Sequence, residues 1–206
     1  MNAADATMFI VSAPSGAGKT SLVTRLLSDD PHIACSVSHT TRPMRPKDQD
    51  GKDYHFVDRS GFESMISQGE FLEHAEVFGN YYGTSAAAVQ TCIDAGKDVI
   101  LEIDWQGGAQ VKAAHPEVVW IFILPPSKEA LLNRLRGRAS DSEEVIERRT
   151  AEAVTEMREN QRADYLVIND DFDKALNELK AIITCYRLGQ GRQAKVHQEL
   201  LASLIQ

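Results

Sequence analysis

The segment Ala13-Pro14-Ser15-Gly16-Ala17-Gly18-Lys19-Thr20 has the residue types of a phosphate-binding turn. Glycines let successive backbone N–H groups turn toward one anion, and a helix starting at the turn adds its partial positive charge. Lys19 can reach the β- and γ-phosphates of a nucleoside triphosphate, and the Thr20 hydroxyl can ligate Mg2+. This chemistry needs a strand before the turn and a helix after it. Met8 to Ala13 is an apolar run of strand type, and Leu22, Val23, Leu26 and Leu27 lie on one side of a helix that begins near residue 19. Ala13 stands where such loops usually begin with glycine, and a small side chain fits there. The competing reading is an ordinary glycine-rich turn with an exposed lysine. The flanking strand and helix favour the P-loop, which predicts triphosphate binding and leaves the acceptor open.

Candidate acceptor residues follow the second apolar run. The stretch from Ser36 to Phe56 holds Arg42 and Arg45 three residues apart, with Ser38, Thr41 and Tyr54 nearby. Arginine offers a planar fork of donors that matches phosphate oxygens, so this group suits a phosphate dianion. A solvated basic loop is the other reading. In Tyr81-Tyr82, an extended backbone would send the rings to opposite faces, so only one need meet a ligand. Asp104 follows the apolar run Val99 to Ile103. There an acid can serve Mg2+, cap the next helix, or do both.

These residues need elements to hold them. Apolar strand candidates are 8–13, 32–37, 98–103, 118–124 and 164–168, and helices are predicted at 19–28, 106–114, 127–137, 143–160 and 171–187. The alternation implies an α/β fold with a mostly parallel sheet covered by helices and ligands beyond the carboxyl ends of the strands. Two regions interrupt it. Residues 38–95, polar and aromatic with short β-like pieces such as Tyr54 to Val57, read as an inserted lobe. Residues 138–164 begin with a charged stretch in which Ser140 or Ser142 could cap a helix, and Glu143 and Glu144 suit its positive end. The core is then 1–37 with 96–137 and 165–206. Residues 189–206 read as a polar turn and an amphipathic helix that could support a homodimer or pack on the chain's own core.

At 206 residues, 43% hydrophobic and 25% charged, the chain suits one globular domain with inserted lobes. No apolar run approaches the ~20 residues of a membrane span, and no secretory signal is visible. Cys35, Cys92 and Cys185 are widely spaced, which reads as reduced thiols of a cytoplasmic protein. A net charge of −8 argues against broad contact with nucleic acid or an anionic membrane, and leaves room for a local cationic nucleotide site.

The run Thr41-Arg42-x-x-Arg45-x-x-Asp48-x-x-Gly51-x-x-Tyr54-x-Phe56 resembles the signature of the guanylate kinases. So do Phe71-Leu-Glu73, Gly79-Asn-Tyr-Tyr82-Gly-Thr84, Leu101-Glu-Ile-Asp104-Trp-Gln-Gly107, Phe122-Ile-Leu-Pro-Pro126 and Val167-Ile-Asn169-Asp-Asp171, in order to about residue 187. Lys47-Asp48 replaces the family's usual Gly-Glu, and Ala139 stands where glycine is frequent. The resemblance implies a P-loop nucleoside monophosphate kinase fold, with parallel core, nucleotide-binding lobe and lid, that transfers the γ-phosphate of ATP to GMP with Mg2+.

By the same resemblance, Glu73 reads guanine with Ser38 and Thr84 as hydroxyl partners, and Arg42, Arg45, Tyr54 and Tyr82 hold the GMP phosphate. Asp104 lies between metal and acceptor. Arg138 and Arg149 close over the ATP phosphates with Arg134 nearby, and Asn169 lies near adenine. One carboxylate can accept from both N1–H and N2–H2 of guanine, whereas adenine would leave it unpaired. From residue type alone, Glu73 reads instead as a surface helix residue, Tyr82 as a core aromatic, and the three arginines as partners of Glu143, Glu144 or Glu147. The attacking GMP phosphate is already ionised near neutral pH, so His39, His55 and His74 need no catalytic part. Two rivals share the fold: an interaction module for phosphorylated peptides, and a kinase for another acceptor. A switch GTPase would need a guanine-reading Asn-Lys-x-Asp, which the sequence lacks.

Overall fold

The computed structural model describes residues 6–77, 79–136 and 143–205, without the side chains of 143–148. Strands β1 (Met8–Ser12), β2 (Ile33–Cys35), β7 (Asp98–Glu102), β8 (Val119–Leu124) and β9 (Tyr165–Ile168) form a parallel sheet in the order β2-β7-β1-β8-β9. Its central strands read as unbroken apolar runs because helices cover both faces. Phe9 and Val11 of β1 pack with Leu22, Leu26, Leu176 and Leu179, which belong to α1 (Lys19–Asp29) and α7 (Phe172–Arg187). Ile10, between them, faces Val89 and Val111 of α3 (Ala86–Asp94) and α4 (Trp105–Ala114). Alternation along one strand thus seeds two cores. The one polar pair buried between β8 and β1 is satisfied: Trp120 Nε1 donates to Ser12 Oγ at 2.6 Å.

The second sheet has the order β4-β3-β6-β5 and is built from β3 (His39–Thr40), β4 (His55–Phe56), β5 (Phe71–Val77) and β6 (Asn80–Ser85). β5 and β6 form an antiparallel hairpin, with a register shift between Phe71 and Glu73. Helix α2 (Arg59–Ser67) starts at Asp58, which accepts from Gly61 N–H, and buries Phe62 against Phe71 with ring centroids 4.5 Å apart. The sequence reading places no helix at 59–67 or 86–94. Both are short and held by a side-chain cap and one buried face, so tertiary packing decides them. Helices α5 (Lys128–Arg136) and α6 (Glu143–Arg158) meet at Leu131, Leu135 and Ala153. Ser140, Ser142 and the side chains of Glu143, Glu144 and Glu147 lie outside the described residues.

Beyond α7 the single helix expected at 189–206 is two, α8 (Gln190–Val196) and α9 (Gln198–Leu204), divided at His197. Asp98, fully buried at the start of β7, anchors this end of the molecule. It accepts from Thr7 N–H at 2.8 Å, Arg187 Nε at 2.7 Å and Arg192 Nη1 at 2.9 Å. Removing one partner of such a pair strands the other charge. Asp98→Ala should lower the unfolding free energy by about 3–5 kcal/mol, read from the urea midpoint; a change near zero would mean that the arginines hold nothing.

Candidate active site

The P-loop lies between β1 and α1. Gly18 has φ +92°, a conformation that favours glycine, and α1 begins at the next residue. A brace from β9 supports the loop. Asn169, buried, donates through Nδ2 to the Ala17 carbonyl at 2.7 Å, and its own carbonyl accepts from Arg134 Nη2 at 2.8 Å. The sequence reading puts Asn169 beside a nucleotide base; here its amide nitrogen is engaged by the loop. Lys19 Nζ donates to the Ile103 carbonyl at 3.1 Å, which keeps the ammonium at the end of β7.

Two acids end that strand. Asp104 caps α4, its Oδ1 accepting from Gly107 N–H at 2.9 Å and its Oδ2 from Gln106 Nε2 at 3.2 Å. The capping role foreseen for it is therefore filled. Glu102, which the sequence reading did not single out, accepts from Thr20 Oγ1 at 2.5 Å. Its signal was present: an acid directly ends an apolar strand facing the P-loop helix. Thr20, Glu102 and Asp104 offer hard oxygen donors of the kind Mg2+ takes, a few from protein and the rest from phosphate and water. Among the described residues no group of three or more His, Cys, Asp or Glu is arranged to hold a metal ion.

Ser15 connects the loop to α6. Its Oγ accepts from Arg149 Nη2 at 2.9 Å, and its N–H donates to Glu156 Oε2 at 3.1 Å. Burial holds the Glu156 carboxyl above the usual range, Asp104 and Glu152 adding to the rise while Lys19 and the Ser15 N–H oppose it. Arg138 lies outside the described residues.

Across the cleft, Glu73 lies on β5, not on a surface helix, and is 4% exposed. Burial raises its pKa from 4.5 to about 7, against hydrogen bonds from the Thr84 hydroxyl and N–H; Asp104 pushes it up further and Lys19 pulls it down. Thr84 faces Glu73 across the hairpin, and Ser38 Oγ lies 3.4 Å from Thr84 Oγ1. The structure thus brings Glu73, Ser38 and Thr84 together, within electrostatic reach of Lys19.

Arg42 is held by Asp48 at 2.9 Å and lies 5.4 Å from the Tyr54 and 5.5 Å from the Phe56 ring centroids. Tyr54 and Tyr82 are 5.8 Å apart, edge to face, and burial pushes the Tyr54 hydroxyl up to about 12. Tyr81 turns to the other face and stacks on Phe62 at 5.3 Å, as an extended Tyr81-Tyr82 pair requires. Arg45 is exposed, with its backbone N–H on Asp48. The cluster gathers two arginines and two phenol hydroxyls, a donor-rich group.

A family model described as guanylate kinase matches residues 5–186. The chain is 56% identical over 199 residues to a guanylate kinase of Alkalilimnicola ehrlichii, covering 97% of this chain and 98% of that protein. It is 53% identical over 201 residues to that of Vibrio cholerae, with 97% of each covered. Among solved structures, the guanylate kinase from Anaplasma phagocytophilum superposes with a TM-score of 0.76 at 33% identity, over 91% of this chain and 89% of that one.

Glu73 makes stability depend on pH. Its folded pKa lies above its unfolded value, so the folded protein binds the extra proton between pH 4.5 and about 7. Its contribution to stability is intact below that window and is lost as pH rises through it. Without nucleotide, Glu73→Gln should gain on the wild type across the window, by at most ~1.4 kcal/mol per pH unit, and hold that lead above it. Parallel urea midpoints between pH 4.5 and 8 would show that Glu73 is not desolvated.

Proposed function

The chain belongs to the guanylate kinase family and transfers the γ-phosphate of ATP to GMP, giving ADP and GDP; we propose how its residues divide that work. The observation that supports the division most strongly is the buried Glu73 beside two hydroxyls, opposite a P-loop lysine. Ionised, Glu73 accepts from guanine N1–H and N2–H2, while Ser38 and Thr84 turn hydroxyls toward O6. Adenine has no N1–H and would leave the carboxylate buried and unpaired. Such a site can reject the wrong base by roughly 10⁴-fold.

Arg42, Arg45, Tyr54 and Tyr82 hold the GMP phosphate, with Asp48 keeping the Arg42 fork oriented. The P-loop, Ala13 to Thr20, cradles the ATP phosphates with its backbone N–H groups, of which Pro14 supplies none. Lys19, Arg149 and Arg138 neutralise charge as donor and acceptor phosphates are brought into line, and Arg134 and Asn169 keep the loop in shape. Thr20 and Asp104, joined by Glu102, would hold Mg2+, which when bound supplies a positive charge on the phosphate oxygens. Since the attacking oxygen is anionic from the start, positioning and charge neutralisation account for the chemistry. The lid, 138–164, closes over the phosphates and keeps water out; residues 38–95 carry GMP, and the rest forms the core. The free thiols at Cys35, Cys92 and Cys185 suit the reducing cytoplasm.

An assay of GMP-dependent ADP formation tests this division. Lys19→Ala should lose several orders of magnitude in rate, Glu73→Ala should lose preference for GMP over AMP, and ATPase without GMP should be slow. A near-normal Lys19→Ala rate would remove that residue from the mechanism.

A homodimer is the second expectation of this reading, through the apolar side chains of α9 and the chain after it. Leu200, Leu204 and Ile205 are 53%, 70% and 87% exposed. Light scattering should give twice the monomer mass, and Leu200→Glu with Leu204→Glu should halve it. A wild-type monomer at high concentration would rule the dimer out.

A further inference from the structure

Helix α4 carries two adjacent glycines in its first turns, Gly107 and Gly108, where glycine weakens a helix. Each has a close neighbour. A Cβ at Gly108 would lie 2.6 Å from the Trp120 ring, so that glycine lets the helix settle on the core sheet. A Cβ at Gly107 would strike the Glu73 carboxylate, with Cδ at 2.9 Å and Cγ at 3.4 Å. The same approach is fixed from the other side. Gln110, one turn further along α4, clasps the main chain of His74: its Nε2 donates to the His74 carbonyl at 2.8 Å, and its Oε1 accepts the His74 N–H at 3.3 Å. The backbone next to Glu73 is therefore pinned to α4, and the carboxylate cannot retreat with its strand. Gly107 also donates its N–H to Asp104.

We propose that Gly107 is a positioning residue for guanine recognition: its missing side chain forms the floor on which the Glu73 carboxylate rests, and its N–H orients Asp104. The inference rests on the reading of Glu73 as the guanine-binding acid. The three nearest heavy atoms to a methyl group at 107 all belong to the Glu73 side chain, so the fold can accept it by turning Glu73 away. The helix keeps its N–H groups and gains propensity. What moves is the group that must meet N1–H and N2–H2. The damage therefore falls on the acceptor and spares the ATP site, whose P-loop, Lys19 and Arg149 lie on other elements.

The test is a double-mutant cycle in steady-state kinetics with Gly107→Ala, Glu73→Ala and the pair. Gly107→Ala should raise KM for GMP about tenfold or more and reduce the preference for GMP over AMP, with KM for ATP within about twofold of wild type. In the Glu73→Ala background the same change should do almost nothing, because the group it displaces is gone. Equal effects of Gly107→Ala in both backgrounds would overturn the inference, since they would show a general defect of α4. If Gly107→Ala does not fold, recovery of folding in the double variant supports the contact, and failure of both overturns it. Should Glu73→Ala leave KM for GMP and base preference unchanged, the reading of Glu73 itself fails, a result separate from the cycle.

Discussion

A carboxylate kept out of water is the constraint around which this molecule is arranged. Glu73 has 4% of its surface exposed, and burial carries its pKa from 4.5 to about 7. A free surface glutamate would cost the fold nothing and would distinguish bases poorly, because water would compete for every hydrogen bond. Desolvation makes the acid demanding: it needs donors, and in the proposed reading the purine that supplies two of them on one edge is favoured. The bulged hairpin of β5 and β6, the facing Thr84 and the close approach of α4 keep it dry and aimed.

The opposite wall handles negative charge by other means. The P-loop offers backbone N–H groups and one lysine, and its shape is maintained by Asn169 from the far strand and Arg134 from α5. The acids at the end of β7 are occupied by short bonds, Glu102 to Thr20 and Asp104 to the start of α4. Each is thereby fixed in direction on either side of Ile103, whose carbonyl holds the Lys19 ammonium. Around Arg42 the same order is achieved with aromatic rings, which support the guanidinium without competing for its hydrogen bonds.

The core was legible because its strands are apolar on both faces. Residues expected at 8–13 and 118–124 form Met8–Ser12 and Val119–Leu124. Residues 38–95 were legible as a break in the alternation and not as elements. His39–Thr40 and His55–Phe56 are pairs of residues that become strands only by finding each other, and no local pattern specifies them. Phe71–Val77 carries Glu73, His74 and Glu76, so it reads as polar although Glu73 is buried. Glu73, Ser38, Thr84, Arg42, Tyr54 and Tyr82 were singled out by family likeness, and the structure brings Glu73, Ser38 and Thr84 together and sets Arg42 and Tyr82 beside Tyr54. Glu102 and Glu156 escaped: one ends an apolar run and looks like part of it, and the other sits in a charged helix where acids are commonplace. Gln110 and Gly107 carry no chemistry of their own, and only their distance from β5 reveals them.

The double hold of α6 on Ser15 has a consequence for nucleotide entry. A carboxylate from the lid helix already accepts a P-loop N–H, and an arginine of the same helix grips the hydroxyl of that residue. An incoming triphosphate does not simply fill a cationic cup. In the proposed reading it must displace the Glu156 carboxylate from the Ser15 N–H, so its affinity is the difference between two competing occupants.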